Sequence, residues 1–294
     1  MSLSSAGPLS SLKIRDFRLY WIGSAISTAG TTMQQAGVAW QVYALTHSPV
    51  ALGLIGLFRV IPLVLLSLIG GVVSDVLNRR RLMLVTQTIL MLSSAGLAVV
   101  AFENVSSPVP IYVIITIAAA ALAFNNPARQ ALIPSLVPRE ELSNAISLNA
   151  IAFEVATVVG PSLAGLIIAL WSVGVIYVVD AVSFLAVLAA LYVIRPREIE
   201  GRVPTISMAA AFDGLRFVFR TPIIFATTGL DFVATFFGSA TALLPVFARD
   251  VLHSGAEGYG ILYAAPSVGA IVTGIAMSVF VRRIEAQGRV IVIS

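Results

Sequence analysis

Eight apolar runs fill most of this chain, at 17–44, 50–73, 82–102, 109–126, 144–170, 173–194, 222–247 and 258–281. Each is near the ~20 residues that a helix needs to cross ~30 Å of hydrocarbon. Inside lipid a helix satisfies every backbone N–H and C=O within its own segment. The runs therefore predict an all-α fold, a polytopic membrane protein. Charged residues make up 11% of the chain and hydrophobic residues 58%, whereas ordinary soluble domains carry about 25% charged residues. With a mean hydropathy of +0.97, the apolar content is too high for a soluble core.

The basic residues encode an orientation. Of the 18 Lys and Arg residues, all but Arg59 and Arg249 precede the first run or fall in every second loop. These are Lys13, Arg15 and Arg18; Arg79–Arg81; Arg129 and Arg139; Arg195, Arg197, Arg202, Arg216 and Arg220; and Arg282, Arg283 and Arg289. Cytoplasmic loops carry the excess of positive charge, so the N-terminus is expected in the cytoplasm. Because Lys13, Arg15 and Arg18 lead straight into a long run, no removable signal peptide is expected. The net charge of +4 is a topology signal in short loops, and no nucleic-acid partner is expected.

Enzyme chemistry finds no foothold in the sequence. With no cysteine there is no disulfide, thiolate metal site or cysteine nucleophile. The two histidines, His47 and His253, fall in outward-facing loops, so neither serves as a metal ligand or base within the membrane. No His-Glu-x-x-His, Walker-type loop or Gly-x-Ser-x-Gly elbow occurs. No enzyme activity, cofactor or metal is expected, and any pumping must draw on an ion gradient rather than ATP.

Between the second and third runs lies Gly70-Gly71-Val72-Val73-Ser74-Asp75-Val76-Leu77-Asn78-Arg79-Arg80-Arg81. Gly-x-x-x-Asp followed by a basic cluster at this position resembles the signature loop of the major facilitator superfamily of secondary transporters. The residues make physical sense as a gate. Gly70 and Gly71 permit close helix approach. Asp75 can bind Arg79 or Arg80 across the turn, a latch that breaks when two halves rock. Arg81 completes the basic cluster, and topology alone would also explain the three arginines. The family carries a basic residue where this chain has Val76 and a glycine where it has Asn78. Asn tolerates a left-handed turn conformation, so the second swap is mild.

A second stretch extends the resemblance. Pro127-Ala128-Arg129-Gln130-Ala131-Leu132-Ile133-Pro134, Arg139-Glu140-Glu141-Leu142, Asn149 and Gly160-Pro161-Ser162-Leu163-Ala164-Gly165 are similar to the exporter branch containing the enterobactin exporter and macrolide efflux proteins. Gly160, Pro161 and Gly165 interrupt the fifth run. In the superfamily a similar motif is associated with export, and a plain helix-packing notch accounts for the same residues.

Four ionisable residues lie inside the spans: Arg59, Glu154, Asp180 and Asp231. A charge at the bilayer centre costs at least ~2.5–3.5 kcal/mol on insertion scales, which makes each a functional candidate. Arg59 stands roughly 24 Å along a helix from Asp75, and Asp180 roughly 22 Å from Arg195, so the two share a depth. The resemblance puts the sixth helix at the periphery, and Asp180 is read as a structural partner. Glu154 and Asp231 fall near the midplane on the fifth and seventh runs, which border the central cavity in the family. Burial would let either carboxylate take up and release a proton. Gln34, Gln35 and Gln41 offer neutral hydrogen-bonding groups to a cavity or to helix packing.

The longest connection, 195–221, contains Met208, Ala211, Phe212, Leu215 and Phe219 at helical spacing and reads as a surface-lying amphipathic helix. It separates a six-helix N-terminal bundle, 1–194, from a second unit, 222–294. The leading segment Arg15-Asp16-Phe17-Arg18 recurs as Arg216-Phe217-Val218-Phe219-Arg220, and the Gly71–Arg81 loop has a faint echo in Gly274–Arg289. Six-helix repeats of this kind build such transporters. By that template the C-terminal bundle is incomplete, two helices and the start of a third, and the chain reads as truncated.

The resemblance implies a proton-coupled exporter of a drug-like or siderophore-like small molecule, a multi-pass monomer in lipid at the cell inner membrane. Arg59, Glu154, Asp231, Gln34 and Gln35 would line the substrate and proton path. Import of a metabolite, or a non-transporting sensor or inactive truncated product, are the alternative readings. The loop charges generate a direct test of topology. With single cysteines introduced as Glu200→Cys and His253→Cys, an impermeant thiol reagent added to intact cells should label position 253 and not position 200. The reverse pattern would overturn the orientation.

Overall fold

In the computed structural model, which describes residues 9–194, 216–238 and 241–280, six long helices follow one another. They are α1 (Arg15–Thr46), α2 (Pro49–Val76), α3 (Arg79–Phe102), α4 (Val109–Leu136), α5 (Leu142–Leu170) and α6 (Val173–Val193). Two more, α7 (Pro222–Gly238) and α8 (Gly255–Phe280), lie in the second part of the chain. No strand occurs among the described residues.

Local chemistry sets the turns. His47 ends α1 in the left-handed region with φ 48°. Ser48 then caps α2, its Oγ accepting from the Ala51 N–H, and Pro49 takes the first helical position, where a missing N–H costs nothing. Asn78 does not take the left-handed turn expected of it. It is extended, at φ −61° and ψ 113°, and its Oδ1 accepts from the Arg81 N–H at 3.1 Å, so it stands in for glycine by capping α3.

Five described helices are long and apolar enough to cross a membrane: Pro49–Ser67 of α2, α3, α4, Arg139–Leu170 and α6. α1 is as long as the longest of them at 32 residues, but hydroxyl and amide side chains dilute its apolar content. The run at 222–247 is not one helix. α7 stops at Gly238, and the chain continues through a 3-10 turn (Thr241–Leu243), a helical turn (Leu244–Val246) and a π turn (Phe247–Val251). Gly238 and Pro245 are poor residues for a helix interior. Most of the 195–221 connector, the echo of the signature loop beyond residue 280 and the apolar C-terminal stretch lie outside the described residues.

α1 is the hub. It packs along α5 and α6, α3 bridges α4 and α6, and α2 lies on α4. Two apolar clusters hold the ends of the bundle. One gathers Phe17, Tyr20, Met83, Leu132, Val187 and Leu191; the other gathers Val38, Leu52, Leu97, Ile111, Ile176 and Tyr177.

Between helices, small residues let backbones meet, as is usual where lipid supplies no hydrophobic drive. A Cβ at Gly23 would lie 2.7 Å from the Ala186 carbonyl oxygen of α6. Gly70 of α2 abuts the Ala123 carbonyl of α4. On α5, the Gly160–Gly165 notch serves two neighbours. Gly160 fits against Thr32 and Ala29 of α1, while Gly165 meets Gly260 of α8. Tyr259 locks α8 further, its hydroxyl donating to the Ala36 carbonyl at 2.9 Å and its ring 5.4 Å from Trp40.

This crossing generates a stability prediction. A Cβ at Gly165 would sit 2.7 Å from Gly260 Cα and 2.8 Å from the Ala256 carbonyl oxygen. Gly165→Leu should therefore destabilise the detergent-solubilised protein by about 1–3 kcal/mol, the usual cost of overpacking. Leu166→Ala, at the exposed neighbouring position, should leave the thermal midpoint nearly unchanged. Equal midpoints for the two variants would show that the α5–α8 contact does not support the fold.

Candidate functional site

A polar layer crosses the bundle between the two apolar clusters, and α1 supplies much of it. Thr28 and Thr31 donate back to the Ser24 and Ser27 carbonyls at 2.7 and 3.0 Å, the usual way for hydroxyls to be satisfied within a helix in lipid. Other groups reach across. Thr32 Oγ1 donates to the Ala156 carbonyl of α5 at 2.8 Å, and Tyr177 of α6 donates to Gln41 Oε1 at 2.7 Å. Gln34 Nε2 donates to Ser94 Oγ of α3 at 2.7 Å, and the Ser94 hydroxyl donates to Asp180 Oδ2 of α6.

Beside this layer is a cavity of about 220 Å³ bounded by α1, α2, α3, α4 and α6. Arg59, Gln34, Gln35 and Thr31 are its polar lining, and Leu63, Leu97, Ile115 and Phe184 are among its apolar lining. The structure thus brings three of the predicted path residues together. Arg59 is half-buried and makes no hydrogen bond or ion pair with a described residue. A guanidinium presents five donors in a planar fork, suited to oxygen acceptors. Small pockets that pair a few polar groups with apolar walls are typical of small-molecule sites.

Glu154 stands apart from this cavity. It is exposed on α5, on the side away from the Ala156 and Gly160 contacts with α1. The side chain of Asp231 on α7 lies outside the described residues. Asp180, read from the sequence as a structural partner, is fully buried and bonded into the layer that Gln34 joins to the cavity. The sequence held one signal for this: Asp180 and Ser183 are three residues apart on one helix face, at the depth assigned to Arg59.

At the C-terminal end of α2, the loop at 70–81 uses its arginines on main-chain oxygens. Arg79 Nη1 donates to the Ala131 carbonyl of α4 at 3.1 Å. Arg80 donates through Nε and Nη2 to the Leu191 and Tyr192 carbonyls in the last turn of α6, where helix carbonyls lack N–H partners and the dipole favours a cation. Arg81 is exposed, Gly71 is half-buried, and the side chain of Asp75 lies outside the described residues.

Comparison with known proteins gives this arrangement a family. The staphyloferrin A transporter of Staphylococcus aureus is 26% identical over 265 residues, covering 87% of this chain and 65% of that protein. An enterobactin exporter of Salmonella typhi is 27% identical over 263 residues, covering 87% of this chain and 62% of that protein. This chain therefore spans a little under two thirds of the length of these relatives. In fold it is similar to a bacterial homolog of the human lysosomal transporter Spinster, in an inward-facing and unoccupied conformation, with a TM-score of 0.59, 17% identity, and coverage of 97% of this chain and 65% of that one. The family model for transmembrane secretion effectors matches residues 6–294, and the chain belongs to that family, within the major facilitator superfamily.

Proposed function

We propose that this chain forms the N-terminal bundle and part of the C-terminal bundle of an inner-membrane secondary transporter that exports a siderophore-like or drug-like small molecule. One observation carries this reading: Arg59, Gln34, Gln35 and Thr31 share one small, largely apolar cavity inside the bundle. The polar wall would orient an oxygen-rich group of the substrate and the apolar wall would take its hydrocarbon. The relatives named for siderophore transport and export support the direction and the substrate class.

Transport proceeds by rocking of two units about this site, the alternating-access scheme of such folds. The domain boundaries at 194 and 221 follow the expected connector, with the N-terminus in the cytoplasm. Protons drive the cycle, and Glu154 and Asp231 exchange them as access alternates. The gating loop, with Gly71, Asp75 and Arg79–Arg81, holds the cytoplasmic ends of α2, α4 and α6. In the Gly160, Pro161 and Gly165 notch, Gly160 receives α1, while Pro161 and Gly165 form the surface on which α8 lies.

The test uses everted membrane vesicles containing the protein as its gene encodes it, with staphyloferrin A, enterobactin and a neutral lipophilic dye as probes. Export predicts accumulation of at least one probe that collapses with the pH gradient. Arg59→Gln should weaken that probe's binding on the order of 10–100-fold, since a hydrogen bond to a charged group is worth ~1.5–3 kcal/mol. Glu154→Gln and Asp231→Asn should still bind the probe, with the proton carrier's variant losing its dependence on the gradient. Accumulation only in right-side-out vesicles would identify an importer, and no accumulation in either orientation would reject transport.

A further inference from the structure

We infer that Asp180 is a proton-binding site within the helix bundle, connected to the substrate cavity through Ser94 and Gln34. The assignment starts from burial. Asp180 has no exposed surface, and its Oδ1 has no hydrogen-bond partner in the structure. Its other oxygen accepts only from the Ser94 hydroxyl. An ionised carboxylate in such a place needs a countercharge or several donors; lacking them, it neutralises by taking a proton.

No countercharge faces it from the elements packed around α6. On α1 the neighbours at this level are Gly30, Thr31 and Gln34, and the charged residues Arg15, Asp16 and Arg18 occupy the first turn, ten or more residues away in the sequence. On α3 the neighbour is Ser94, with Arg79–Arg81 at one end of that helix and Glu103 at the other. α5 carries one ionisable residue within its span, Glu154, which is exposed. On α6 itself the other titratable groups are Tyr177, whose hydroxyl donates to Gln41, and Tyr192, which is exposed. The cation in reach of the same network is Arg59, which faces the cavity end, at Gln34, rather than the carboxyl end.

Geometry also leaves room for the proton. A Cβ at Gly30 would lie 2.7 Å from Asp180 Oδ1 and would collide with Ser183 Oγ, so both oxygens crowd the bare face of this glycine. Ser183 spends its own hydrogen on the Asp180 carbonyl, at 2.7 Å, leaving its oxygen lone pairs beside Oδ1. A proton on Oδ1 therefore has an acceptor nearby, while Oδ2 keeps its bond from Ser94. The route out runs through Ser94 to Gln34, which lines the cavity. When the Gln34 amide turns away, cavity water can reach the Ser94 hydroxyl. A proton taken up from that water makes Asp180 neutral, and its return leaves a carboxylate; no other bond forms or breaks. The coupling role rests on the export reading above, with Asp180 joining Glu154 and Asp231 as an exchanging acid.

Infrared spectroscopy of the full protein in proteoliposomes tests the assignment without any substrate. At neutral pH the wild type should show the C=O stretch of a protonated carboxylic acid that disappears in Asp180→Asn and persists in Glu154→Gln. Ser94→Ala should keep the band and move it to higher frequency, because the carbonyl loses a donor. Transfer to D2O should shift the band, reporting water access from the cavity. A spectrum with no band lost in Asp180→Asn would show that Asp180 is ionised and overturn the assignment, and a band indifferent to D2O would overturn the route through Gln34. Loss of the band in Asp180→Asn with gradient-driven export intact would overturn the coupling role alone, whereas absence of export in the wild type would count against the export reading and leave the spectroscopic result standing.

Discussion

In hydrocarbon a helix is not driven onto its neighbours by the hydrophobic effect; close backbone approach and hydrogen bonds hold it there. α1 concentrates both. Its Gly23 admits the α6 backbone and its Gly30 the Asp180 and Ser183 side chains of α6, and its Thr32, Gln34 and Gln41 side chains bond to α5, α3 and α6. This explains an otherwise odd property of the helix, that it is long yet less apolar than its neighbours. Its polar groups are buried against protein, where they find partners, so the sequence does not need to make it apolar enough for lipid. The cavity exists because the same polar face continues past the packed helices to Thr31, Gln34 and Gln35 opposite Arg59.

The architecture of the first part of the chain was legible because its signals are long and redundant. Six apolar runs coincide with α1 to α6, and Ser48-Pro49 marks the start of α2 as surely as its hydropathy does. The second part was less legible. A continuous apolar run at 222–247 concealed the irregular turns that begin at Thr241, because hydropathy measures affinity for lipid and says nothing of backbone geometry. Site residues were legible only as types. Arg59, Gln34 and Gln35 share a cavity because α1 and α2 both line it. That Asp180 is buried and Glu154 exposed does not follow from depth at all. It depends on which way each helix is rotated, and a helix with apolar residues on every side, like α6, gives no rotational signal in its pattern.

Rotation is instead recorded by the small residues. Asp180 points inward because Gly30 leaves space for its carboxyl and for Ser183 in the same notch; any side chain at Gly30 would turn α6 or push it away. The end of the bundle at the 70–81 loop follows the same rule. Pro127 has no N–H, so the Ala123 carbonyl one turn earlier loses its helical donor. Gly70 of α2 lies directly against that carbonyl, where a Cα–H offers a weak donor and no side chain blocks the approach. Gly70 and Pro127 thus act as a pair: the proline exposes an oxygen inside the bundle, and the glycine brings a neighbouring backbone close enough to cover it, while the signature glycine, Gly71, has open space beside it. Arg79 reaches the Ala131 carbonyl two turns further along the same helix. Main-chain oxygens of α4 are therefore met at two levels, by Gly70 of α2 and by Arg79 at the start of α3. Such contacts are weak singly and can be remade after a small sliding of one helix on the other, which interdigitated large side chains would resist.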